Sequence, residues 1–160
     1  MPVTVEEEVV LLYALYTCGR KPSKARATDF IMSNHLMKER EGDLDVVSTR
    51  ESRVVNRIAW TRENLKRNGE LSMPDHGFWA ITQKGIERIE RIAMRSLKWE
   101  EPGDEASARQ HDIRYDRISG ELLKRLKSLG AELMQRQQKR SEQTDAQKTG
   151  SPDVPPASIG

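Results

Sequence analysis

The sequence predicts a mainly α domain of α+β class, in which three helices, a two-stranded hairpin and a fourth helix are followed by a long amphipathic helix. Three observations carry this. Apolar residues recur at three- and four-residue spacing in separate stretches, the helical period. Residues that accept hydrogen bonds from a first helical turn stand at the head of several of them. One pair of short apolar runs flanks Pro74-Asp75-His76-Gly77, a hairpin signal.

Thr4 and Glu7 have capping-box spacing, and Glu6, Glu7 and Glu8 favour the positive end of the helix dipole. Val5, Val9, Leu12 and Tyr16 then predict a core helix over about 5–17, with Gly19 as its stop. Pro22 marks a turn, after which Phe30, Ile31, Met32, Leu36 and Met37 predict a helix over about 24–39. The acidic stretch Glu39 to Asp45 follows, and then Leu44 to Val47 as a loop or brief extended piece.

Ser48 and Glu51 repeat the capping-box spacing. Val54, Ile58, Thr61 and Leu65 share one stripe of a helix over about 50–67, which Asn68-Gly69 ends. In the hairpin, Trp79 and Ile81 alternate with Phe78 and Ala80, so one pair faces inward and the other outward. Trp60 and Trp79 are expected to be core or half-buried. Thr82 caps a fourth helix carrying Ile86, Ile89, Ile92 and Ala93. After the break at Glu101 to Asp104, a seam of Tyr115, Ile118, Leu122, Leu126, Leu129 and Leu133 predicts a helix over about 106–139. Residues 141–160 are polar and rich in turn-formers, and are expected to be disordered.

The division expected is therefore a unit over 1–100, an amphipathic helix over 101–140 and a tail over 141–160. At 36% hydrophobic and 32% charged residues the 160-residue chain can bury one modest core. A single cysteine, Cys18, excludes a disulfide framework and a thiolate zinc cluster. No run approaches the roughly 18 apolar residues of a membrane span, and the acidic N-terminus does not read as a signal peptide, so a cytoplasmic protein with no membrane partner is expected. Net charge is only +2. Its distribution is uneven, however: residues 48–100 hold 11 basic and 7 acidic side chains, whereas 1–47 hold 6 and 8, and 101–160 hold 10 of each. The middle third is where a polyanion would bind.

Three helices followed by a two-stranded wing is the order of a winged helix-turn-helix. Asn56-Arg57-Ile58-Ala59-Trp60, Leu65 to Leu71, and Gly77-Phe78-Trp79-Ala80-Ile81-Thr82 with Gly85 resemble the N-terminal winged-helix domain of Mrr-type restriction proteins. The likeness is close over 56–85 and looser over about 5–92. It implies a module that recognises double-stranded DNA beside a nuclease and takes part in target choice, including recognition of modified DNA. The nuclease that accompanies the module in that family is not expected in the remaining length. Gln137-Gln138-Lys139 matches the end of such a metal site only superficially, with no strand or preceding Asp around it.

Arg53, Asn56 and Arg57, in the first half of the third helix, are the first choices for base edges. Arg suits guanine O6 and N7, and Asn suits adenine N6 and N7. Ser48, Thr49 and Ser52 at the helix start suit a phosphate, and Arg50 and Arg62 add charge. His76 and Lys84 are placed at the wing. The C-terminal seam predicts a homodimer through Ile118, Leu122, Leu126, Leu129 and Leu133, with folding back onto its own domain as the alternative. No glycine-rich phosphate loop, catalytic triad or metal-ligand cluster is present, so neither cofactor nor catalysis is expected. The leading expectation is a double-stranded DNA-binding regulator, or the specificity component of a restriction or defence system working with a separate nuclease. The alternative is an adaptor that docks partner proteins, motivated by the acidic loop and the near-neutral charge.

Overall fold

A computed structural model describes residues 3–38, 53–99 and 113–150. Helix α1 (Val5–Thr17) begins where expected, with the Thr4 hydroxyl accepting the Glu7 N–H at 3.2 Å. It is buried from Glu7 to Leu15 and touches α2, α3 and α4, so it is the central rod of the core rather than an amphipathic surface helix. Helix α2 (Lys24–Ser33) is capped by Ser23 and is shorter than expected. Asn34 gives both its backbone and side-chain N–H to the Phe30 carbonyl, and His35 turns to a φ of 53°. That left-handed residue stops the helix before Leu36 and Met37, which are buried all the same.

Helix α3 (Arg53–Arg67) buries Val54, Ile58, Thr61 and Leu65, the stripe expected from the sequence, and ends at Gly69 with φ 75°. The expected start at residue 50 lies outside the described residues. Strands β1 (Leu71–Ser72) and β2 (Ala80–Ile81) pair antiparallel, with Leu71 opposite Ile81 and Ser72 opposite Ala80. The turn around Pro22 flanks this wing on its other side: Trp79 N–H donates to the Pro22 carbonyl, Ile81 N–H to that of Arg20, and Ser23 bridges Phe78. Trp79 and Ile81 face inward and Phe78 outward, as their alternation requires.

Helix α4 (Gln83–Ser96) starts at Thr82, whose hydroxyl accepts the Gly85 N–H at 3.2 Å and donates to the Gly69 carbonyl at 2.7 Å. Gly85 lies against the root of the wing, where a Cβ would stand 2.5 Å from the Glu70 carbonyl oxygen. Only a hydrogen fits there. The module is a winged helix: three helices, a two-stranded wing, and a fourth helix closing the core.

A 3₁₀ turn (Tyr115–Arg117) leads into α5 (Gly120–Gly150), where the sequence predicts an uninterrupted helix from about residue 106. Ser119 joins the two parts, accepting the Leu122 N–H and donating to the Leu36 carbonyl. The seam expected to form a dimer is covered within the chain. Ile118, Leu122, Leu126 and Leu133 are buried and Leu129 packs against the same core, so folding back in cis accounts for them and a homodimer through this face does not. Gly130 lets α5 lie close against α4: a Cβ there would meet the Ala93 carbonyl oxygen at 2.3 Å. Trp99 and Tyr115 pack tilted at 5.6 Å, and Tyr115 donates its hydroxyl to the Ile92 carbonyl, so the residues after 113 complete the winged-helix core.

Helix α5 also runs past its expected end at 139 and takes residues 141–150 out of the expected disordered tail. Nucleation is the costly step of helix formation. A helix already held by packing at 120–133 propagates through Glu, Gln, Ala and Lys with little penalty. Residues 151–160 lie outside the described residues.

Candidate nucleic-acid interface

At 100° per residue, Arg53, Asn56, Trp60, Glu63 and Arg67 fall within about 80° of one another on the side of α3 away from its buried stripe. Arg53, Trp60 and Arg67 are exposed, and Asn56 and Glu63 half-buried. Glu63, the acidic member, is paired with Arg62. This outward ridge therefore carries an exposed arginine at each end, with Lys66 exposed beside it.

Two of the arginines expected to reach DNA sit elsewhere. Arg57 lies about 70° from the centre of the buried stripe. Its Nε approaches Glu7 Oε2 at 3.4 Å and its side chain is only 17% exposed, so it ties α3 to α1. Arg62 lies on the opposite edge, with its guanidinium 5.6 Å from the centre of the Trp79 ring and paired with Glu63. Both serve packing first. Lys84 is exposed but donates to the Asn68 carbonyl at 2.6 Å, closing the end of α3. His76 is exposed at the wing tip, where Asp75 pairs with Lys21 and Gly77 takes φ 83°. Ser48, Thr49, Arg50 and Ser52 lie outside the described residues.

Trp60 corrects the expectation of a packed tryptophan: it is 59% exposed, whereas Trp79 is 1% exposed. Its helical angle already pointed outward. Trp79 fills the space between helix and hairpin instead.

Residues 9–91, just over half of the 160, match the family described as Mrr N-terminal domain. The chain belongs to this family. Neither a curated protein nor a solved structure matches it. The match spans α1 to α4, and it is to an N-terminal domain rather than to a catalytic nuclease domain. Within this Mrr N-terminal domain the residues carrying the family likeness divide by role. Ile58, Leu65, Leu71, Trp79 and Ile81 are core, and Gly85 admits the wing root. Trp60 does neither.

A polar network that spacing along the chain does not reveal fixes the orientation of α3. Arg88 of α4 donates through Nη1 to both carboxylate oxygens of Glu70, at 2.9 and 3.2 Å, and through Nη2 to Glu8 Oε1 at 2.8 Å. Glu8 also accepts from Asn64 at 2.7 Å and from Asn68 at 3.4 Å. Helix α1, the end of α3, the root of the wing and α4 thus meet at one guanidinium. Glu7 and Glu8, which the sequence marks only as a helix start, are the carboxylates that hold this interface together.

Other titrating groups lie away from the ridge. Burial pushes the Cys18 thiol up, with Arg26 partly opposing it. Burial and then the hydrogen bond to Glu90 push the Tyr16 hydroxyl up. Among the described residues no cluster of three or more His, Cys, Asp or Glu could hold a metal ion, and no helix is long and apolar enough to cross a membrane.

Proposed function

We propose that this Mrr N-terminal domain binds double-stranded DNA, with α3 entering the major groove. It acts as the target-choosing component of a restriction or defence system, or as a regulator, and does no chemistry of its own. The outward ridge of α3 carries the reading: Arg53 and Arg67 at its ends, Asn56 and Trp60 between them, with the one acid paired locally. Cations about four turns apart, with base-reading groups between them, suit two phosphate rails flanking a groove. Cleavage, where it occurs, belongs to a separate nuclease partner, and discrimination of modified bases is part of the same reading.

The test is duplex binding over a range of salt. The wild-type chain is expected to bind with a salt slope that falls by about 2 when Arg53→Ala and Arg67→Ala are combined, one for each phosphate contact. An unchanged slope and affinity at low salt would refute it. A second reading, an adaptor for protein partners, is favoured by an apolar groove between α4 and α5 where Leu97 and Met134 are exposed beside Met94. Co-purification of a protein partner with no retention on DNA supports that reading instead.

A further inference from the structure

Trp60 is 59% exposed, more than any other large apolar side chain among the described residues, and the other two tryptophans are each 1% exposed. The fold makes no demand for it, since Val54, Ile58, Thr61 and Leu65 already fill the inner face of α3. Its position is central. Arg53 lies seven residues before it and Arg67 seven after, about 10 Å along the axis in each direction. An apolar ring midway between two cations complements an anionic groove with an apolar spot on its floor.

The major groove of unmodified DNA offers one such spot, the C5-methyl group of thymine. We infer that Trp60 is the apolar reading group of α3 and that it takes the C5-methyl of a thymine, with Asn56 placed one turn away for a neighbouring base edge. This rests on the proposal that α3 enters duplex DNA. A hydrophobic pocket on a protein partner would also accept an exposed tryptophan, but would gain nothing from cations at both ends.

The experiment uses the full chain and a duplex selected from a random pool. Each thymine is replaced in turn by deoxyuridine, which removes only the methyl group. One or two positions are expected to weaken wild-type binding about fourfold, the factor given by roughly one methylene's worth of apolar burial. Trp60→Ala is expected to melt at the wild-type temperature, to keep its salt-dependent binding, and to lose this sensitivity to deoxyuridine. Acrylamide quenching adds an independent reading, because Trp79 and Trp99 are buried and the quenchable emission comes from Trp60. Duplex should shield it.

Retention on DNA with no deoxyuridine-sensitive position, or with the same sensitivity in Trp60→Ala, would overturn the inference and leave duplex binding standing. Full quenching of Trp60 in the bound complex would do the same. A parallel set carries 5-methylcytosine at the cytosines: a gain there without any loss at deoxyuridine assigns the contact to modified cytosine and overturns the thymine assignment. Failure of the wild-type chain to select any duplex removes both proposals together.

Discussion

Replacing Arg88 by Met removes the one cation shared by Glu8 and Glu70 while keeping a stem of similar length. The two carboxylate side chains are 7% and 4% exposed, and that of Arg88 17%, so solvent does little to compensate. Breaking a buried pair by removing one partner costs about 3–5 kcal/mol, mostly because a charge is left buried without its counterpart. Glu8 keeps Asn64 as a donor, so most of the penalty falls on Glu70. For a domain of this size that corresponds to a fall of about 6–20 °C in the melting temperature. Circular dichroism on heating, with urea unfolding at 25 °C as a second measure, checks the value. Adding Glu70→Gln to Arg88→Met should then recover much of the loss, because the unpaired charge is gone. A loss below about 1 kcal/mol, the range of exposed pairs, or simple additivity of the two substitutions, would refute the claim that this guanidinium holds α1, α3, α4 and the wing together.

Gly85→Ala and Gly130→Ala each drive a Cβ into a backbone carbonyl oxygen, at 2.5 and 2.3 Å, so each should lower stability toward the upper part of the 1–3 kcal/mol typical of overpacking, about 3 kcal/mol, read from urea midpoints. Leu126→Ala should cost about 2–5 kcal/mol and leave the mass by light scattering unchanged, since Leu126 is fully buried within its own chain; dissociation of a dimer would contradict the packing described. The raised Cys18 thiol forms thiolate only at higher pH than free cysteine, so at pH 8 it should react slowly with a thiol reagent in the folded chain and quickly once unfolded.

Much of this architecture is legible residue by residue. The stripe on α3, the Thr4 and Thr82 caps, the Asn68-Gly69 stop and the alternation of Phe78 with Trp79 all act over a few residues, where spacing and torsion preferences suffice. The end of α2 was less legible. Leu36 and Met37 keep a helical period and are buried, yet the left-handed His35 takes them off the helix. Among the candidate contacts, Arg53 and Asn56 lie on the outward side as their angles require. Arg57 and Arg62 border the buried stripe, and whether such a side chain turns to solvent or inward depends on what stands opposite. Glu7 and Trp79 stand there.

The order of elements, the inward face of α3 and the basic middle third are readable along the chain, because period, caps and charge are local properties. Tertiary packing sets the partners of what those elements present. It placed the leucine seam of α5 against α4 instead of a second copy, it gathered Glu8, Glu70 and Arg88 across as many as 80 positions of chain, and it left Trp60 in solvent by giving its place to Trp79. Each of these is a competition between surfaces distant in sequence, settled by burial and by the cost of an unpaired charge.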